Sequence, residues 1–159
     1  MVRYLKTRAE GYVRPCVMIV ITCMLLSVFI TFAEAVSVVK QTERNSRVVL
    51  DNYVMLNSIQ IYNSIKTGND KNPYLDSASY TDSLADFCTF AEEGGYLYNY
   101  DRDGNVLFYL SQPVMEYVKD NTLKISVRYT VFVPIRFAGL RVDTAEIPIT
   151  VTSKFTEKF

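Results

Sequence analysis

Histidine is absent from all 159 residues, and that one absence excludes Ser-His-Asp triads, Cys-His pairs, His-bearing zinc sites and His-based pH switches. Net charge is absent too. Seventeen basic residues balance 17 acidic ones, which leaves no electrostatic preference for nucleic acid. Cysteine is scarce: Cys16 and Cys23 lie inside an apolar run and only Cys88 lies beyond it, so the later region has no partner for an internal disulfide and must hold by its core. There is no Gly-rich phosphate loop and no basic aromatic stripe, so neither nucleotide nor nucleic-acid binding has residue support. The residues point to no catalytic centre and no cofactor. What is present is a chain of about one domain's length, 49% apolar and 13% aromatic, with its hydrophobic excess near the N-terminus.

That excess is the stretch 16–33, CVMIVITCMLLSVFITFA, which runs from Cys16 to Ala33 without a charge. As a helix it spans about 27 Å, close to the thickness of a bilayer core. Thr22, Ser27 and Thr31 are its only polar members, and their hydroxyls can bond back to carbonyls within the helix. Arg3, Lys6, Arg8 and Arg14 precede the run against a single Glu10, while the charges after it are mixed. This asymmetry predicts a cytoplasmic basic tail over 1–15, a membrane span over 16–33, and everything downstream outside the cytoplasm. Pro15 is expected in the first helical turn. The same residues admit a second reading as a signal peptide cut after Ala35, at the small-x-small triplet Ala33, Glu34, Ala35. The run is longer than an ordinary signal core, and helix-compatible sequence continues through the cut, which favours an anchor.

From Glu34 to Lys66 there is neither proline nor glycine, and a helix over 34–67 has two opposed apolar stripes. Leu50, Tyr53, Val54, Ile61 and Ile65 make the first. Val48, Met55, Ile59 and Tyr62 make the second. A surface helix needs only one apolar face, so the second is either covered within the domain or is a subunit interface. If the two helical segments are continuous, they form a rod of roughly 50 residues, about 75 Å long. Gly68 is the expected stop.

Residues 68–159 read as a helix-plus-sheet domain. After a polar loop over 69–80, Thr81 or Ser79 caps a short helix to about Glu92, with Leu84, Phe87, Cys88 and Ala91 inward and Gly94-Gly95 ending it. Residues 96–100 and 106–110 are expected to form a hairpin across 101–105. A long alternating strand follows, with Leu123, Ile125, Val127, Tyr129 and Val131 on one face and Lys124, Ser126, Arg128 and Thr130 on the other. A connection through Pro134, Ala138 and Gly139 leads to a last strand in which Ile147, Ile149 and Val151 alternate with Pro148, Thr150 and Thr152. Pro148 suits an edge or a bulge. The two strands are expected to pair as a hairpin. The fold class is therefore α+β: a long N-terminal transmembrane-plus-amphipathic helix packed on a small antiparallel sheet.

Four groups of residues admit a chemical reading beside a structural one. Asp101, Asp103 and Asn105 with Gly104 form a fragment of a calcium loop, but no bidentate carboxylate stands at the required distance, and a hairpin turn accounts for them. Cys88 lies on the apolar face of its helix with nothing to activate it, as core cysteines do. Glu92 and Glu93, adjacent on the expected helix, point about 100° apart and cannot converge on one bond. Tyr96, Tyr98, Tyr100 and Tyr109 either pack across their strands or present a binding face for carbohydrate or protein.

The apolar run 16–33 with Glu34 directly after it, the charged segment 40–47 and the closing strand 146–155 together resemble the pilin-like and pseudopilin proteins, in particular the TadE-like exported proteins of Gram-positive pilus, secretion and conjugative systems. The resemblance covers most of the chain in layout and rests on no specific motif. A prepilin peptidase would need a glycine followed five residues later by glutamate, and Gly11 is followed at that spacing by Cys16. The resemblance implies a non-enzymatic minor pilin or assembly component whose partners are the lipid bilayer and like or unlike protein subunits. The alternative is a secreted or anchored binding module that uses the aromatic hairpin.

Overall fold

The computed structural model describes residues 2–67, 76–119, 123–137 and 140–155. Helix α1 (Val2–Leu56) is followed by α2 (Ser58–Lys66) and α3 (Ser77–Cys88), and then by strands β1 (Ala91–Glu93), β2 (Tyr96–Tyr100), β3 (Val106–Ser111), β4 (Val114–Lys119), β5 (Leu123–Phe137) and β6 (Leu140–Phe155). The expected α+β arrangement is present: a long N-terminal helix packed on a small antiparallel sheet.

Helix α1 is 55 residues long, about 82 Å at the standard rise. It crosses the junctions at 15–16 and 33–34 without interruption. Thr22 and Thr31 donate their hydroxyls to the carbonyls of Met18 and Ser27, at 2.8 and 3.0 Å, as a hydroxyl in an apolar helix must to avoid being orphaned. Two expectations need correction. Pro15 lies inside the helix and not in its first turn, where it forfeits the hydrogen bond its missing N–H would give to the carbonyl of residue 11. The segment 34–67 is interrupted at Asn57, whose side-chain Nδ2 and backbone N–H both donate to the carbonyl of Tyr53, at 2.9 and 3.1 Å. Helix α1 ends at Leu56 and α2 starts at Ser58, while the i−4 backbone bonds of Asn57 to Tyr53 and of Ile61 to Asn57 continue across the junction. Gly68, with the loop over 69–75, lies outside the described residues.

In the sheet, the long strand β5 is the axis. Along one edge it pairs with β4 over 123–128 and with β3 at 131–132, and along the other with β6 over its whole length. Strand β6 is therefore an edge, and Pro148 sits opposite Thr130 where its missing N–H costs no ladder bond. Strands β1 and β2 continue the sheet beyond β3. Strand β4 is not among the elements that the sequence pattern predicts. It follows Gln112-Pro113, and its residues Val114–Lys119 pair with Arg128 through Leu123.

Two further corrections concern α3. Its N-cap is Asp76, not Ser79 or Thr81, and it ends at Thr89 in the left-handed region (φ 53°), with the N–H of Phe90 bonded to the carbonyl of Ala85 at 2.9 Å. Phe87 points to solvent at 55% exposure. The glycine pair expected to stop the helix instead turns the β1–β2 hairpin: Glu93 faces Tyr96 across Gly94 and Gly95, both at positive φ. A two-residue loop of this kind matches strand twist only with left-handed residues, which glycine adopts at no steric cost.

The core lies between α1, α3 and one face of the sheet. Leu50, Tyr53, Val54 and Ile61 of the first helical stripe are buried, against Ile125, Val127, Tyr129, Val131 and Val133 of β5 and Ile149 and Val151 of β6. The side chains of Ile65 and Leu123 lie outside the described set. A polar knot is embedded in this layer. Tyr129 donates its hydroxyl to Ser46 Oγ at 2.7 Å, and Tyr80 donates to the Ser46 carbonyl at 3.1 Å, so one serine of α1 ties down β5 and α3 together. Among the described residues no buried side-chain nitrogen or oxygen lacks a partner. Farther along, Ser153 donates to Asp51 at 2.6 Å.

Replacing Tyr129 by Phe strands the buried Ser46 hydroxyl and is expected to cost about 1–2 kcal/mol, read as a lower thermal midpoint of the detergent-solubilised chain. Burial pushes the Tyr129 phenol up to about 12 from an ordinary 10.0, opposed by its Ser46 bond, and moves Tyr80 in the same direction. Folded-state values raised this way give stability that is complete below the unfolded value and is lost as pH rises through the folded one. Unfolding midpoints measured against pH should therefore fall between about pH 10 and pH 12, and the fall should shrink in the Tyr129→Phe variant.

Candidate functional site

The strongest local assembly is on the sheet face away from α1. Register pairs Tyr98 with Tyr109 and Tyr109 with Phe132, which sets one ring on each of β2, β3 and β5 directly side by side. Tyr109 stacks on Phe132 at 4.7 Å and 8°, and Tyr98 on Tyr109 at 5.3 Å and 26°. Tyr100 extends the stack from Tyr98 at 6.0 Å, and Tyr96 lies edge-on to both Tyr109 and Phe132. All four tyrosines named from sequence are thus brought together. Each pair adds about 0.5–1.5 kcal/mol beyond area burial, so cross-strand packing is part of their role. Yet Tyr96 and Tyr100 remain 39% and 38% exposed, and the face presents rings to solvent.

Phe132 is the member that sequence reasoning missed. It falls on the polar face of β5 after Lys124, Ser126, Arg128 and Thr130, one residue beyond the alternation that ends at Val131. An apolar residue continuing a wet face is the signal that could have found it. Glu93 flanks the cluster opposite Tyr96. Desolvation, and then the Glu93 carboxylate, hold the Tyr100 phenol above its usual range.

A second apolar surface lies on α1 and α2. Of the second stripe, Met55 and Ile59 are 76% and 75% exposed, Val48 is exposed and Tyr62 half-buried. Among the described residues nothing covers Val48, Met55 and Ile59, whereas Tyr62 is partly covered. Leu56, 84% exposed, joins Met55 and Ile59 at the α1–α2 junction. It was not among the four residues expected on the second stripe.

The other chemical readings find structural roles. Asp101 accepts the backbone N–H groups of Asp103 and Asn105 on one oxygen, at 2.9 and 2.8 Å, and the Asn105 amide on the other at 3.0 Å. These bonds, that from the Asn105 side chain first, hold its carboxyl below the usual range and tie both oxygens to the hairpin loop. Among the described residues no group of three or more His, Cys, Asp or Glu is placed to hold a metal ion. Cys88 is half-buried beside Asn45, with its thiol pushed up by burial. Glu92 and Glu93 lie on a strand and not on a helix, so they point to opposite faces of the sheet.

A groove of about 500 Å³ separates α1 from the sheet at the end nearest the apolar run. Its walls include Thr31, Glu34 and Val38 of α1, and Phe108, Val133 and Arg136 of the sheet. The helix portion Tyr12–Leu56 is long and apolar enough to cross a membrane, and none of its most apolar window is buried in the domain.

The chain matches no protein-family model, no curated protein and no solved structure.

If the stack stabilises the sheet through Phe132, Phe132→Ala should lower stability by about 1–2 kcal/mol in denaturant titrations, whereas Tyr100→Ala, at the free end of the stack, should leave the midpoint close to that of the parent.

Proposed function

We propose that this chain is a non-enzymatic single-pass membrane protein, with its N-terminus in the cytoplasm and its helix-plus-sheet domain outside, acting as a pilin-like, TadE-like subunit or assembly component of a surface pilus, secretion or conjugation apparatus. The observation that carries this reading is the continuity of α1. One helix is exposed and apolar over the length of a bilayer, then becomes the central core element of the domain, and still leaves Met55, Leu56 and Ile59 uncovered. A rigid stalk of this kind presents its outer stripe at a fixed height above the membrane, so neighbouring copies meet stripe to stripe. The charge pattern around the run supports the orientation. The small-x-small triplet lies in mid-helix, and Ala35 already packs against the core, which supports retention of the anchor over cleavage after Ala35.

A second reading is favoured by the aromatic face. Stacked, partly exposed tyrosines offer apolar area with polar tips at low entropic cost, as carbohydrate- and protein-binding surfaces do. In that case the domain is an anchored or secreted binding module.

Cysteine crosslinking separates the two. With Cys16, Cys23 and Cys88 replaced by serine, Met55→Cys and Ile59→Cys are expected to give covalent dimers in native-host membranes carrying the surrounding system, and Asp82→Cys on α3 is not. Monomer only at both stripe positions removes the assembly reading. Loss of glycan or protein capture on Tyr98→Ala and Tyr109→Ala then tests the second.

A further inference from the structure

We infer that the groove between α1 and the sheet holds one acyl chain of a bilayer phospholipid, drawn upward from the leaflet in which α1 is anchored. The inference rests on the anchored reading above and gives it a lipid ligand.

The groove exists because α1 changes side-chain size along its inner face. Toward its upper end Leu50, Tyr53 and Val54 fill the layer between helix and sheet, whereas lower down the helix offers only Ala35 and Val38. Short side chains leave space there. With Phe90, Phe108, Val133 and Ile135 on the other wall, the space is about 500 Å³, inside the range of roughly 300–1,000 Å³ typical of small-ligand sites. Much of the polar lining is already bonded within the protein: Thr31 and Thr42 donate to carbonyls of their own helix, Asn45 to the Cys88 sulfur and Arg136 to the Val106 carbonyl. Glu34, Gln41 and Asn99 complete the polar part of the wall.

Position along α1 selects the occupant. The lining runs from Thr31 to Asn45, about 21 Å at the helical rise. Thr31 lies inside the apolar run that ends at Ala33, so the groove begins at the hydrocarbon boundary, while Gln41, Thr42 and Asn45 stand about 12–18 Å above it. A lipid chain can therefore enter without crossing water. The chains of one leaflet occupy about 15 Å, half of a ~30 Å hydrocarbon core, so the groove is long enough for one of them. Apolar walls at that height would otherwise face water. A lipid chain that moves against them exchanges one hydrocarbon medium for another and takes the walls out of water. The two charged residues of the lining, Glu34 and Arg136, are opposite in sign, which gives no net preference for an anionic lipid. A zwitterionic phospholipid suits the site.

The test uses the full chain in phosphatidylcholine vesicles whose sn-2 chains end in a photoactivated diazirine, with adducts placed by tandem mass spectrometry. Chain ends lying at the bilayer midplane label the run 16–33. A chain in the groove adds label at Val133 and Ile135 in the tryptic peptide 129–136, several-fold above that on peptide 48–66, which carries the exposed Met55 and Ile59. Val38→Trp, which fills the groove, is expected to lower the label at Val133 and Ile135 several-fold and to leave that on 16–33 unchanged, and Ala35→Leu, a milder filling, acts in the same direction. Label on 16–33 in the parent chain with Val133 and Ile135 no higher than 48–66 overturns the lipid site and leaves the anchor standing. Label at Val133 and Ile135 that neither filling variant lowers also overturns the site. No label on 16–33 overturns both readings.

Discussion

One helix has to satisfy two environments, and the rest of the structure is arranged around that constraint. An α-helix closes its own backbone hydrogen bonds, so it can leave an apolar medium and enter a protein core without exposing a donor or acceptor. Helix α1 is 55 residues long, with a portion apolar and long enough to cross a membrane and a portion that forms the core of the domain. Its hydroxyl residues change role along the way: Thr22, Thr31 and Thr42 donate to carbonyls of their own helix, whereas the Ser46 hydroxyl, buried under the sheet, accepts from Tyr129. Where that knot forms, the helix stops being a free rod and becomes the spine of a domain.

The spine fixes the layers. Its inward positions take up one face of β5 and β6 and one side of α3, with Tyr53 edge-on to Tyr80 across the α1–α3 contact at 6.1 Å. Among the described residues no helix covers the other sheet face, which carries stacked rings, an exposed Glu116–Arg128 pair at 3.3 Å and a Ser126–Thr152 hydroxyl bond. Rings across three strands make the open face stiff without making it dry. The same economy leaves the far side of α1 bare at its upper end. Two exposed surfaces, one aliphatic on the helices and one aromatic on the sheet, therefore remain on the domain.

The elements legible in the sequence were those specified by local periodicity. The apolar run, the two helical stripes, the 96–100 and 106–110 hairpin and the alternation of β5 each follow from residues within a few positions of one another, and each is present. The failures share a cause. Residues 89–95 continue a helical pattern, but β1 is recruited by pairing with β2, and Gly94-Gly95 then serves a hairpin. Strand β4 has weak alternation and exists because the lower edge of β5 is open to it. The helical pattern over 34–67 is divided at Asn57, whose side-chain amide adds a second bond to the Tyr53 carbonyl.

Sequence alone determined that this chain has no histidine chemistry, a bilayer-length apolar helix, a doubly apolar helix after it and an aromatic hairpin, because composition and period are local properties. Only the tertiary structure decided which stripe is buried and that Phe132 completes the tyrosine stack. Those depend on strand register and on the packing of the sheet against α1, and register is set by contacts between residues far apart in the chain.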